Sequence, residues 1–261
     1  MNLIYNICFS PTGSTMAAAE QITEALGCDK KTVDLCKEIS EEINIAGDNT
    51  AVFSVPCYGG RVPETALDRL KKIKGENTQA IICVTFGNRA YEDALIELSD
   101  VVESSGFKVI AGCCIVTEHN IMHIFGQGRP DSNDKGEIDN FAEKVAEKLK
   151  KGNTDKPLLP GNRPYKERHS GHAPILTDEA VCTGCGLCER NCPVGAIGGK
   201  GRITNRETCI GCMRCIEICP FKSRSLPDEY LSRLIERLRP ACEQRKNNDC
   251  GIISKKGKGE F

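Results

Sequence analysis

The chain has 261 residues, 39% hydrophobic and 27% charged, with a formal net charge of −1. That is room for two modest domains or one large one, and the near-neutral balance gives no overall attraction to nucleic acid or to an anionic membrane. No apolar run approaches the roughly 18–20 residues of a membrane helix, so no membrane span is expected, and the opening MNLIYNICFS lacks the features of a secretory signal.

Residues 1–151 alternate strand and helix. Apolar, β-branched runs of strand length sit at Leu3–Phe9, Lys31–Leu35, Thr50–Val55, Gln79–Thr85 and Lys108–Val116. They are nearly continuous, as in parallel strands buried on both faces. Helical patterns occupy Thr15–Leu26, Glu64–Ile73, Ala90–Ser104 and Ile138–Lys150, and Gly27, Gly75 and Gly106 follow helix ends. This predicts an α/β fold, a doubly wound parallel sheet with helices on both faces. The pattern leaves the strand order open.

In such sheets ligands bind beyond the carboxyl ends of the strands. The loops there are Ser10-Pro11-Thr12-Gly13-Ser14-Thr15, Pro56–Pro63, Phe86–Tyr91 and Thr117–Asn120. The first can bind phosphate: a helix N-terminus offers free N–H groups, Gly13 permits close approach, and the hydroxyls add donors. Neither the lysine and spacing of a P-loop nor G-x-G-x-x-G is present, so a terminal monoester phosphate suits the loop better than a triphosphate. The plain alternative is helix capping, for which one hydroxyl would suffice.

The S-P-T-G-S-T turn resembles the phosphate-binding T/S-x-T-G-x-T motif of flavodoxins, over roughly residues 1–151. The resemblance implies a flavodoxin-like sheet of five parallel strands, order 2-1-3-4-5, binding FMN. Its phosphate would rest on Ser10, Thr12, Gly13, Ser14 and Thr15. Pro56, Cys57, Tyr58, Gly59, Gly60 and Arg61 would flank the isoalloxazine ring on one side. Thr85, Phe86, Gly87, Asn88, Arg89 and Tyr91 would flank it on the other. Gly59-Gly60 suits a peptide that flips to bond the reduced flavin, Tyr58, Phe86 and Tyr91 are the aromatics free to stack, and Arg61 and Arg89 are cations for the ring edge. His119 is the group at that edge that titrates near neutrality. The chain departs from the family in having no tryptophan.

Residues 152–174 are rich in proline and glycine and read as a linker or a strap. His169 and His172 fall there, as a possible His-x-x-His metal pair. An internal repeat follows: DEAVCTGCGLCERNCP at 178–193 and NRETCIGCMRCIEICP at 205–220. Each has the spacing C-x2-C-x2-C-x3-C-P. Three thiolates of a repeat wrap one cubane and the fourth reaches the other. Two 4Fe-4S clusters are therefore expected, one on Cys182, Cys185, Cys188 and Cys219, the other on Cys209, Cys212, Cys215 and Cys192. Structural zinc would take two C-x2-C pairs instead. Residues 175–225 resemble bacterial two-cluster ferredoxins, which implies a small α+β ferredoxin-type domain.

The rest of the chain, 226–261, begins with an amphipathic helix pattern (Tyr230, Leu231, Leu234, Ile235, Leu238) expected to pack on the body. It ends in a basic stretch, Lys255–Lys258, expected to be disordered. Of the 17 cysteines, Cys8, Cys83, Cys113 and Cys114 lie inside expected strands as small hydrophobes, which suits a reducing cytoplasm. Cys242 and Cys250 have no assigned role.

The whole chain resembles the fused flavodoxin–ferredoxin proteins of anaerobes. The resemblance implies an electron-transfer protein relaying electrons between its clusters and FMN, with redox proteins as partners. Transfer could run within one chain or across a homodimer. An FMN-dependent oxidoreductase acting on a small acceptor, and a redox sensor with an empty first domain, are the alternatives. The sequence shows no catalytic dyad.

Overall fold

The computed structural model describes residues 3–168 and 172–252. His169 and Lys255–Lys258 lie outside the described residues.

The first unit is built as β1 (Ile4–Cys8), α1 (Ser14–Ala25), β2 (Lys30–Asp34), β3 (Ile43–Ile45), β4 (Thr50–Pro56), α2 (Glu64–Leu70), β5 (Ile73–Gly75), β6 (Thr78–Phe86), α3 (Ala94–Ser104), β7 (Phe107–Val116) and α4 (Ser132–Lys150). The parallel strands of the main sheet run β2-β1-β4-β6-β7. Counting only these five, the order is 2-1-3-4-5, the flavodoxin-like doubly wound order. Cys8 lies between Asp34 and Ser54, and Pro56 lies opposite Thr85. Such register brings the loops after β1, β4 and β6 to one edge.

Continuous apolar runs became buried strands because both sheet faces are covered. On one face Ala18 and Ile22 of α1, with Phe141 and Val145 of α4, pack on Val52 and Ile81. On the other, Ala66 and Leu70 of α2, with Leu98 and Val102 of α3, pack on Phe53, Val55, Ile82 and Val84. Full burial of such a side chain contributes about 1.5–3 kcal/mol. Phe53 also meets Phe107 edge-on at 4.9 Å.

The sequence expectation needs four corrections. The helix over 64–73 stops at Leu70, because Ile73 turns inward and pairs with Ile43 in a separate two-stranded sheet of β3 and β5. Residues 90–93 are not helical: Asp93 is held by the backbone N–H groups of Asn162 (2.8 Å) and Lys166 (2.7 Å). The helix expected from Ile138 starts at Ser132, because Asp131 and Asp134 form a reciprocal cap. The sheet has six strands rather than five, the sixth coming from the C-terminal segment.

Residues 152–168 are a strap across α3. Leu159 enters the core, Arg163 pairs with Asp100 and Arg168 with Glu97. The second unit follows: β8 (Leu176–Thr177), α5 (Leu187–Arg190), β9 (Ile197–Gly198), β10 (Ile203–Thr204), α6 (Arg214–Glu217) and β11 (Arg224–Ser225). Its ends are zipped by antiparallel pairing of β8 with β11. Then α7 (Asp228–Cys242) seats Leu231, Leu234, Ile235 and Leu238 on Met122 and Phe125, and β12 (Asp249–Ile252) returns antiparallel to β7. Among the described residues no helix is long and apolar enough to cross a membrane.

Candidate functional site

The loop after β1 leads into a helix whose N-cap residue is a glycine. Gly13 precedes α1 at φ +95° and offers no side chain to cap it. An added Cβ there would meet nothing within 4 Å, yet that φ strongly favours glycine. Ser10 Oγ accepts from Met16 N at 2.9 Å, and Thr15 Oγ1 bonds Thr85 Oγ1 at 2.7 Å, tying the first loop to the loop after β6. Thr12, Ser14 and Thr15 line a cavity at this edge of the sheet.

That cavity is lined by Thr12, Ser14 and Thr15 from the first loop, by Pro56, Cys57 and Tyr58 from the second, and by Thr85 and Gly87 from the third. Pro11, Glu118 and Asn120 complete it. These last three were not singled out in the sequence, although Glu118 and Asn120 flank His119 on the loop after β7. The Tyr58–Arg61 turn is closed by reciprocal backbone bonds of 2.9 and 3.2 Å. Gly59 has open space beside it, whereas a Cβ on Gly60 would strike Glu92. Burial pushes the Cys57 thiol up to about 12, so it stays protonated.

Several expected ring contacts are committed elsewhere. Arg61 forms a two-pronged pair with Glu97 (2.9 and 2.6 Å) and stacks over Tyr165 at 4.7 Å. Arg89 pairs with Glu92 at 3.1 Å. Asn88 Nδ2 donates to the carbonyls of Cys242 (2.6 Å) and Gln244 (3.0 Å), and its Oδ1 accepts from Lys246 N (2.9 Å). Tyr91 donates to Asp249 at 2.8 Å, and Phe86 is buried edge-on against Tyr91. His119 Nδ1 accepts from the N–H groups of Ile121 and Met122, and burial holds its imidazole down at about 4. It is neutral at ordinary pH. Tyr58 is thus the aromatic that borders the cavity.

The cysteine repeats build a second site. A cavity of about 350 Å³ is lined by Cys192, Cys209, Cys212 and Cys215, with Ile175, Val194, Ile197, Ile210 and Met213 around them. Burial raises the Cys212 thiol to about 12. On the other side of the unit Cys188 and Cys219 are electrostatic neighbours, and Cys182 and Cys185 lie on the preceding turn, Cys185 exposed. Cys219 is pushed up by burial, but the Ser223 hydroxyl and the N–H groups of Ser223, Phe221 and Lys222 outweigh this and lower it. Such donors suit an anionic sulfur. Among the described residues no three His, Cys, Asp or Glu side chains gather closely enough for a single metal ion. A cubane instead spreads its thiolates over separate irons.

The two sites adjoin. Arg214, between Cys212 and Cys215, donates to the carbonyls of Ser10 (3.4 Å) and Pro11 (3.1 Å). Arg69 donates to Pro193 O at 2.5 Å, and Ile210 packs on the core of the first unit. Burial drives the Tyr58 hydroxyl well up, and the thiols of Cys212 and Cys36 add to the shift. Tyr58 lines the first-loop cavity.

Residues 174–220 match the family model of the 4Fe-4S dicluster domain. Among solved structures the chain is similar to the flavodoxin of Streptococcus pneumonia TIGR4, at 17% identity over 56% of this chain and 99% of that one, TM-score 0.40. It is also similar to Fusobacterium nucleatum flavodoxin bound to flavin mononucleotide, at 16% identity over 57% and 99%, TM-score 0.40. A third is the rubredoxin oxygen:oxidoreductase of Desulfovibrio gigas, at 16% identity over 57% of this chain and 35% of that one, TM-score 0.38. No curated protein matches. By its own sheet order and by the family match, the chain joins a flavodoxin-like α/β unit to a 4Fe-4S dicluster domain.

Proposed function

We propose that this chain is an electron-transfer flavo-iron–sulfur protein of a reducing cytoplasm, passing electrons between two 4Fe-4S clusters and FMN within one chain. The observation that carries this reading is the bond from Arg214, set among the second group of cysteines, to the backbone of the phosphate-type loop.

Cys182, Cys185, Cys188 and Cys219 would hold one cluster, and Cys209, Cys212, Cys215 and Cys192 the other. The clusters supply one-electron exchange and FMN either one- or two-electron exchange, while the protein sets position and potential. The start of α1 with Thr12 and Ser14 would take the FMN phosphate. Gly59 leaves a peptide free to turn, and Tyr58, which lines the cavity, would border the flavin. The protonated Cys57 and the neutral His119 add no charge beside the ring. Around the first set, exposed Cys185 marks the side where a one-electron partner protein would dock.

The test is a reductive titration without oxygen. The purified protein receives less than one equivalent of reductant, with clusters read by electron paramagnetic resonance and flavin by absorbance. Rapid sharing of electrons, at a rate independent of protein concentration, supports transfer within the chain. A rate proportional to concentration would instead place the exchange between two chains.

A further inference from the structure

Arg224 is 3% exposed, at the start of β11. Its Nη1 donates to Gly201 O and to Thr177 Oγ1 (3.2 Å), and its Nη2 to Thr204 Oγ1 at 2.5 Å. Burial raises the Cys215 thiol, and the Arg224 guanidinium works against that rise. Its Nε–H has no partner. Among the described residues no carboxylate pairs with it. A buried guanidinium held only by neutral oxygens is costly unless a counter-charge lies close.

The surroundings say where that charge belongs. Burial raises the thiols of Cys188, in the first set, and Cys215, in the second, and the Arg224 guanidinium opposes that rise in both. A Cβ on Gly201 would meet Cys188 Sγ at 2.7 Å, so the segment whose carbonyl Arg224 holds is pressed against that sulfur. Thr204, on the other side, lines the cavity of the second set.

We propose that Arg224 sets the reduction potentials of both clusters, one buried cation shared between a cysteine of each set. It rests on the reading that the two cysteine sets hold clusters. Each cluster, taking one electron from a low-potential donor, gains one negative charge and no protein proton. A fixed cation nearby favours the more negative state, more strongly in a dry interior than in water. The fork of the guanidinium reaches Gly201, pressed against Cys188, with one nitrogen and Thr204, at the second set's cavity, with the other, which a compact ammonium cannot do. Arg224 acts through the ligands and is a positioning residue.

The test compares the intact protein with Arg224→Gln and Arg224→Lys, prepared without oxygen. Iron and sulfide are counted first, and both cluster potentials are then measured, with the flavin potential as internal reference. In a loaded Arg224→Gln the reduced-to-oxidised ratio of both clusters at fixed poise falls about tenfold, a shift of about 59 mV for a one-electron couple. The flavin couple stays where it was. In Arg224→Lys one cluster shifts and the other holds. Where Arg224→Gln loses its iron, the lysine variant decides. Potentials unchanged in a loaded variant overturn the proposal. So does loss of iron from both variants, which would make the residue a structural clamp. Absence of iron from the parent would instead sink the cluster reading itself.

Discussion

Arg214 donates from Nη1 to the carbonyl oxygen of Pro11 at 3.1 Å, joining the second cysteine repeat to the loop that follows the first strand. The same nitrogen reaches Ser10 O at 3.4 Å. Hydrogen bonds from a charged donor contribute about 1.5–3 kcal/mol. Arg214→Met should therefore keep its iron and flavin but loosen the seam. Hydrogen exchange across residues 10–13 and 209–215 would rise about tenfold or more, since 1.4 kcal/mol is a factor of ten, and sharing of electrons between clusters and flavin would slow. Unchanged exchange at both segments would show that the seam does not depend on this side chain.

The hydroxyls of Thr12 and Ser14 line the cavity and make no hydrogen bond among the described residues. Removing them should leave the fold within about 0.5 kcal/mol of the parent. If they bind a phosphate, each bond to a charged acceptor is worth about 1.5–3 kcal/mol. Thr12→Ala with Ser14→Ala should then weaken FMN at least about tenfold, read by quenching of flavin fluorescence on binding. An unchanged affinity would put the phosphate elsewhere.

Asn88 fastens the end of the chain, through the carbonyls of Cys242 and Gln244 and the N–H of Lys246. Asn88→Ala leaves the buried carbonyl of Cys242 unpaired, at about 1–3 kcal/mol, and frees the part-buried groups of Gln244 and Lys246. The expected result is earlier labelling of Cys242 and Cys250 by a thiol reagent. The flavin affinity should change far less than in the double hydroxyl variant.

Burial pushes the Asp134 carboxyl up, but hydrogen bonds from Arg129 and from Asp131 N outweigh it and hold the group at about 2. Its folded value lies below its ordinary one of 3.8. The resulting stability is present above about pH 4 and is lost as pH falls toward 2, about 2 kcal/mol in all. The denaturation midpoint of the parent should thus fall between pH 5 and pH 3 by more than that of Asp134→Asn. At pH 7 the variant should be the weaker by about 3–5 kcal/mol, because Arg129 is left buried and unpaired. Parallel pH curves for the two proteins would remove Asp134 from the acid response.

The strands were legible in the sequence because a parallel strand covered on both faces is mostly apolar, as Thr50–Pro56 is apart from the small hydroxyls of Thr50 and Ser54. The cysteine spacing was legible because a cubane dictates it. β12 was not: Asp-Cys-Gly-Ile carries no strand signal, and the segment pairs with β7 only because Asn88, Tyr91 and Val116 N bind residues 242–249. The same fact explains why the bonds of Asn88 and Tyr91 were not foreseen. Loop position told which edge Asn88 and Tyr91 occupy, but their partners lie more than 150 residues away and decide which way they point. Arg61 and Arg89 were likewise claimed by Glu97 and Glu92. Arg224 gave no signal at all: an arginine five residues after Cys219 acquires meaning only when β11 closes on β8.

The central claim is that one chain holds both kinds of redox centre, and composition tests it most directly. The protein is purified without oxygen, its spectrum recorded, its released flavin identified, and its iron and sulfide counted. The account predicts FMN near one per chain with about eight irons, as two cubanes require. Eight irons with no flavin would contradict it, leaving the Ser10–Thr15 loop as the start of a helix and nothing more.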